Sequence, residues 1–334
     1  MELKYQKLKI AIFAHDAGGS DMLIELLKAN LHVENFKIYC TNDSVCAKLV
    51  KSKNLINYFE SIECDRRSIF VKLDLFKPDL ILYGTGWQNH LEYYFLDYAR
   101  RNSIPSVTFL DNWTNFRERF GFPDNNWEKN IADFVAVHDE HSRKIANSFG
   151  FKNIVTIKNY ALEKQLNECK KINLKEENIT LFLSEPTAKV AKKTYQDSYY
   201  WGFNERDVYK AVLKHKSRFA CKDIVVRLHP SDKPDIYKQI DPKTTISSDT
   251  LAQDISRAKV IIGLDSSVLH LAFLLGKKVI SYLPSKKRDF HVPLPKENQI
   301  RDLEKLNIDD IKRYKNSEVD FGIEFALFVK NILG

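Results

Sequence analysis

Val260-Ile261-Ile262-Gly263-Leu264-Asp265-Ser266-Ser267 is the stretch that decides the fold. Apolar residues of strand length run without polar alternation into an acid and two serines, and residues 267–275 then read as a helix. A strand apolar at every position is buried on both faces, which points to a parallel sheet covered by helices. The same pattern recurs along the chain. Upstream, strand candidates at 9–15, 36–41, 79–84, 106–111, 134–138 and 154–158 alternate with helical segments at 21–29, 44–52, 66–76, 92–102 and 140–149. A polar Lys/Glu/Asn-rich stretch at 163–178 interrupts the alternation. It restarts with strands at 179–184, 223–228, 259–264 and 278–283 and helices at 205–215, 250–256 and 267–275, and an amphipathic segment at 321–332 closes the chain.

With 334 residues the chain exceeds what one hydrophobic core usually serves. The expectation is therefore an α/β protein with two Rossmann-like parallel-sheet domains facing a cleft. The first spans 1–165, the second 178–318, and 319–334 forms a C-terminal helix that packs back on the first.

Composition excludes several classes. Hydrophobic residues make up 44% and charged residues 29%, so order is expected nearly throughout. The apolar run at 8–14 is too short for a signal peptide, and no run approaches the roughly 18 residues needed to span a bilayer. Cys40, Cys46, Cys64, Cys169 and Cys221 are scattered without metal-ligand spacing, which fits reduced thiols in a cytoplasm and no metal or other cofactor. The net charge of +8 admits an acidic ligand or peripheral association with the inner membrane surface, and equally a solvated basic surface. Its cations are not gathered with stacking aromatics on one element, which argues against nucleic acid.

Ligands of parallel α/β sheets sit where strand carboxyl ends meet helix starts, so those loops hold the candidates. His15-Asp16-Ala17-Gly18-Gly19-Ser20-Asp21 follows the first strand. Its glycines permit close backbone approach, and an acid and an imidazole stand at the strand end. Neither GxGxxG nor a P-loop lysine is present, and Asp16 or Ser20 serving only as a helix cap is the plain alternative. Tyr83-Gly84-Thr85-Gly86-Trp87, with Glu92 beyond it, and Asp111-Asn112-Trp113-Thr114-Asn115-Phe116-Arg117-Glu118-Arg119-Phe120 add a second acid with aromatic and amide groups suited to a sugar. Core packing is the alternative for the aromatics. The candidates here are Asp16, Asp111 and His15 for catalysis, and Gly18, Gly19, Trp87, Trp113, Asn115 and Arg119 for an acceptor.

In the second half, Val225-Val226-Arg227-Leu228-His229-Pro230 ends a strand in a His-Pro turn. The proline biases His229 to an extended backbone, and Arg227 offers a charge-assisted contact to phosphate. Ser266 and Ser267 fall at a helix cap and first turn, where hydroxyls and free N–H groups converge, although plain capping accounts for serines there as well. Glu185-Pro186-Thr187, ending another strand, can hold a nucleoside or an acceptor, or form a turn. The donor candidates are Arg227, His229, Pro230, Ser266, Ser267, Glu185, Thr187 and Asp265.

Arg227-Leu228-His229-Pro230, then Asp265-Ser266-Ser267, then Ala272-Phe273-Leu274-Leu275-Gly276-Lys277-Lys278-Val279-Ile280 resemble the His-Pro and Ser-Ser motifs of bacterial GT-B glycosyltransferases that use CMP-activated sugars. Sialyl-, polysialyl- and capsule Kdo transferases are among them. The resemblance covers roughly the second domain and implies that His229, Ser266 and Ser267 contact the nucleotide phosphate. The acidic-acidic-Gly motif that carries the base of the sialyltransferases is missing here, so the base falls to Asp16 or Asp111. The function so implied is metal-independent, inverting transfer of an acidic sugar, such as a nonulosonic acid or Kdo, from a CMP-linked donor to a glycan or lipid-linked glycan of capsule or surface polysaccharide. A UDP-GlcNAc 2-epimerase-like enzyme, a CDP-glycerol glycerophosphotransferase-like enzyme and a non-catalytic nucleotide-sugar-binding protein are the alternatives.

Overall fold

The computed structural model describes residues 8–30, 35–86, 90–315 and 322–333. The chain divides into two compact units, Met1–Lys164 with Asp320–Gly334, and Gln165–Val319.

The N-terminal unit contains strands β1 Ile10–Phe13, β2 Phe36–Cys40, β3 Phe59–Ser61, β4 Leu80–Gly84, β5 Ser106–Phe109, β6 Phe134–Val137 and β7 Ile154–Thr156. Its helices are α1 Ala17–Ala29, α2 Val45–Ser52, α3 Arg66–Phe76, α4 Glu92–Arg101 and α5 Glu140–Ser148. Helix α6, Tyr160–Lys170, runs from this unit into the next. All seven strands pair in parallel in the order β3-β2-β1-β4-β5-β6-β7. Along β1, Ile10 and Ile12 enter one core cluster while Ala11 and Phe13 enter another. Burial on both faces explains why the strand reads as an unbroken apolar run.

The C-terminal unit contains β8 Ile179–Leu183, β9 Asp223–Arg227, β10 Thr245–Ile246, β11 Val260–Gly263, β12 Lys278–Tyr282 and β13 Gln299–Ile300, paired in parallel as β10-β9-β8-β11-β12-β13. Its helices are α7 Thr187–Tyr195, α8 Glu205–Lys214, α9 Asp235–Lys238, α10 Leu251–Arg257 and α11 Ser267–Leu274. Each unit is thus a doubly wound parallel sheet, and the two together give the GT-B fold.

Two readings of the sequence change. The polar stretch at 163–178 does not interrupt the alternation from its start, because α6 occupies its first part and buries Leu166 and, largely, Cys169. The first helix begins at Ala17, not Asp21, so Gly18 and Gly19 lie inside its first turn. No helix among the described residues is long and apolar enough to cross a membrane.

The last helix, α12 (Phe325–Leu333), packs into the N-terminal core through Phe325, Phe328, Val329 and Ile332. Glu324 fastens its start by accepting from Lys158 Nζ at 2.7 Å and Tyr160 Oη at 2.8 Å. Phe328 is wholly buried, 5.9 Å from the Phe109 ring. Phe328→Ala is expected to cost about 3–5 kcal/mol in denaturant unfolding of the N-terminal unit. A change under about 1 kcal/mol would show that the helix adds little to that core.

Candidate functional site

Both sheets reverse their winding once, between β1 and β4 and between β8 and β11. At such a switch point the flanking connections leave in opposite directions and open a crevice at the carboxyl ends of the strands. The chemistry-bearing residues gather at these two places.

In the N-terminal unit the crevice is set by glycine. A Cβ on Gly19 would lie 3.2 Å from Gly84 Cα, so α1 meets the end of β4 backbone to backbone. A Cβ on Gly18 would stand 1.7 Å from Asp111 Oδ2, so the Asp111 carboxylate occupies the space where any other residue would carry its side chain. Asp111, beyond β5, forms an ion pair with Arg119, whose Nη1 also donates to Thr85 Oγ1 at 2.9 Å. Loops after β1, β4 and β5 are thereby tied into one polar cluster. Asp16 holds the N-cap position of α1 but makes no capping hydrogen bond with its side chain, and His15 Nε2 lies 4.0 Å from its carboxylate. Asn115 adopts a left-handed backbone (φ 58°) and its carbonyl accepts from Arg119 N at 3.1 Å, which shapes the turn that presents Arg119.

Glu92, which starts α4 behind this cluster, is 1% exposed and accepts from Gly86 N at 3.2 Å. Burial pushes its carboxyl above the usual range, with nearby His90 pulling the other way. Trp113 differs from expectation. It is 3% exposed, donates its indole N–H to Asp139 at 2.8 Å and stands edge-on to His138, so it is scaffold behind the site and presents no open ring face to an acceptor. Phe116 and Phe120 are core as well. Trp87 lies outside the described residues.

In the C-terminal unit, the loops after β8 and β11 are joined directly. Glu185 Oε1 accepts from Asp265 N at 2.6 Å, and its other oxygen lies 3.4 Å from Arg288 Nη2. Burial pushes Glu185 above the usual carboxylate range, and Arg288 opposes the shift. Asp265 goes the other way. Burial alone would raise it, but hydrogen bonding from His291 and the charge of Arg288 hold it below the usual range. Ser266 caps α11 by accepting from Val268 N at 3.2 Å, and Ser267, in the first turn, is exposed.

His229, past the end of β9, is held by its backbone N–H to Asp232 (3.2 Å) and by Nδ1 to Ser231 Oγ (2.9 Å). Burial pushes its imidazole below the usual value. Pro230 is exposed at the turn. Thr187, at the start of α7, is buried, and its hydroxyl makes no hydrogen bond among the described residues. Arg227 has a different task from the one expected. Its Nη1 donates to Asp254 Oδ2 at 2.7 Å and to the Asp249 carbonyl at 2.9 Å, so this nitrogen braces β9 against the α10 segment. The sequence reading missed His291, and it weighed Arg288 only as part of the basic run Lys286-Lys287-Arg288 and took a solvated face as the more plausible role; both residues follow β12. The signal was available in residues 288–291, since chemistry-bearing side chains beyond a strand carboxyl end are what selected every other loop.

A family model described as glycosyltransferase family 9 (heptosyltransferase) matches residues 81–317. The chain belongs to this family. It is a glycosyltransferase. Among solved structures it resembles a UDP-GlcNAc 2-epimerase from Methanocaldococcus jannaschii (TM-score 0.66, 14% identity, covering 97% of this chain and 99% of that one). It also resembles a Listeria monocytogenes protein described as a putative UDP-N-acetylglucosamine 2-epimerase (0.60, 10%, covering 91% and 86%) and Anabaena HepE in complex with UDP (0.54, 12%, covering 82% and 80%). At these identities the likeness is one of fold. No curated protein matches the sequence.

Membership in family 9 corrects the resemblance to CMP-sugar sialyl- and Kdo transferases. The motifs that suggested it, His229-Pro230 and Ser266-Ser267, stand at strand ends and a helix start. That geometry suits a phosphate of any nucleotide, and nothing in it reads cytosine or an acidic sugar.

Asp265 supplies the clearest pH signature. Because it titrates below its unfolded value, the stability its ionised form contributes is complete above the ordinary aspartate value of about 4 and is lost as pH falls from there through the lower folded value. Asp265→Asn is expected to lose about 1–3 kcal/mol at pH 7, and thermal unfolding should show the gap to wild type closing below about pH 4. A gap that widens on acidification contradicts the assignment.

Proposed function

We propose that this enzyme transfers a sugar, of the heptose type its family is described by, from a nucleoside diphosphate to a glycan or lipid-linked glycan acceptor. The observation that carries the reading is the switch point of the C-terminal unit. There Glu185, Arg288, Asp265, His291 and the start of α11 meet in one hydrogen-bonded group, with His229 on the neighbouring strand end. Such a group suits a diphosphate. Helix N–H groups, an arginine and imidazoles offer donors to its oxygens, and the buried carboxylates fix those donors in place. Charge growing on the departing diphosphate is met by these same groups, so a metal ion is not required for that step.

In the N-terminal unit, Asp16 is the better of the two candidate bases. It stands at the N-cap of α1 beside the His15 imidazole, 4.0 Å away, and Asp111 is committed to Arg119 and packed over Gly18. Asp16 accepts the proton of the acceptor hydroxyl as that oxygen attacks the anomeric carbon, in a single displacement that inverts the centre. Asp111, Arg119 and Thr85 hold the acceptor's polar groups.

Asp16→Asn is expected to lower kcat about 10²–10⁴-fold while leaving donor affinity unchanged. Calorimetry with ADP- and UDP-sugars beside radiolabelled transfer separates the two effects, and equal loss of binding and turnover would remove Asp16 from the chemistry. Transfer should also persist in EDTA. Conversion of UDP-GlcNAc to its 2-epimer without any acceptor would replace the transferase reading with an epimerase one.

A further inference from the structure

Asp265 lies just past the end of β11 where an ionised carboxylate is expensive, at 3% exposure, and its partners are not on its own segment. Oδ1 accepts the backbone N–H groups of His291 and Val292, both at 3.1 Å, and Oδ2 lies 2.8 Å from His291 Nδ1. The two backbone bonds suffice to pin the loop after β12. The third fixes a ring. A carboxylate on Nδ1 selects the tautomer and sets the rotation of an imidazole, which is how proteins aim the opposite ring nitrogen.

The surroundings suit such an aim. The His291 side chain is 28% exposed and that of Asp265 0%, so the ring leads from the buried carboxylate towards solvent. Arg288, from the same loop, lies 5.0 Å over the Trp201 ring and reaches Glu185. Arg301 fastens the loop from below, donating to the carbonyls of Leu283 (3.2 Å), Ser285 and Arg288 (2.7 Å) while lying 4.2 Å from the Phe290 ring. Two potential anion donors, one of them aimed by a buried acid, thus stand at the β8/β11 switch point beside the start of α11.

We propose that His291 is a phosphate-contacting residue of the donor site and Asp265 the positioning residue that aims it. The proposal rests on the reading of the C-terminal unit as the site of a nucleoside-diphosphate sugar. As the acceptor oxygen bonds to the anomeric carbon, the bond from that carbon to the diphosphate oxygen breaks and its electron pair stays on the phosphate. His291 donates a hydrogen bond to that growing charge, and the acceptor's proton goes to the base in the N-terminal unit.

The test is His291→Asn, whose amide N–H can keep the bond to Asp265 and so preserve the loop anchor while removing the far edge of the ring. Affinities for ADP, UDP, GDP and CDP, and for the matching nucleosides, are measured by calorimetry on wild type and variant, with kcat for transfer and a melting temperature for each. The variant is expected to bind the preferred diphosphate about tenfold more weakly, to bind its nucleoside as wild type does, and to lose about 10²-fold in kcat. Unchanged diphosphate affinity and kcat overturn the proposal, as does an equal loss for nucleoside and diphosphate, since either leaves His291 a loop anchor only. Should wild type bind none of the four diphosphates, the donor reading itself fails and takes this inference with it.

Discussion

Parallel pairing is the constraint on which the rest depends. A parallel strand must be reached by a crossover, crossovers are right-handed, and a sheet that grows in both directions from its first strand reverses once. The reversals between β1 and β4 and between β8 and β11 follow from that rule. At each, helix starts diverge above a buried sheet and open a crevice. Sequence then fills the opening. Glycine is used in the N-terminal unit, where α1 must touch β4, and acids are used in the C-terminal unit, where loops must be joined. The two crevices share a topology and differ in chemistry because of what stands at a handful of positions.

The acids illustrate how burial is put to work. Glu185 and Asp265 are joined through the Asp265 N–H and share Arg288 as a neighbouring charge, yet their proton affinities move in opposite directions. Asp265 receives hydrogen bonds to both oxygens and so stays ionised despite desolvation. Glu185 receives a single backbone bond and a longer contact to Arg288, and desolvation prevails. A pair of carboxylates thus supplies one fixed negative charge, which aims a histidine, and one carboxyl that ionises less readily beside an arginine a ligand can recruit.

How much of this the sequence disclosed follows from the same physics. Strands buried on both faces are almost wholly apolar, so β1, β4, β8 and β11 stand out, and α3 is legible at both ends because Asp65, a capping residue, precedes it and Pro78 follows it. Short edge strands β3, β10 and β13 are only partly buried and carry no such run. The start of α1 was misplaced because glycines read as helix breakers, and only the approach of Gly84 and Asp111 explains their presence. Candidates such as Asp16, Asp111 and His229 could be picked out from their positions just beyond strand ends. Their pairings could not, since Asp111 meets Arg119 across an irregular loop and Asp265 reaches His291 from beyond both α11 and β12.

The mistaken CMP donor has the same origin. A phosphate is recognised by helix N–H groups, imidazoles and guanidinium at a strand end, and these leave a compact trace in sequence: a buried run, a small polar residue, a helix. A nucleobase is recognised by hydrogen-bonding edges set by loop geometry, and a sugar by a surface assembled from several loops, neither of which needs a fixed residue type at a fixed spacing. His229-Pro230 and Asp265-Ser266-Ser267 therefore speak for a phosphate and are silent on what it is attached to. Arg227 shows the converse hazard. Beside such a motif an arginine looks like part of the grip, yet its nearest carboxylate, Asp254, comes from the neighbouring helix and claims it for the scaffold. Arg288 also has a buried acid near it, but at 3.4 Å from Glu185 against 2.7 Å between Arg227 and Asp254, so what separates the two arginines is how closely the acid holds them.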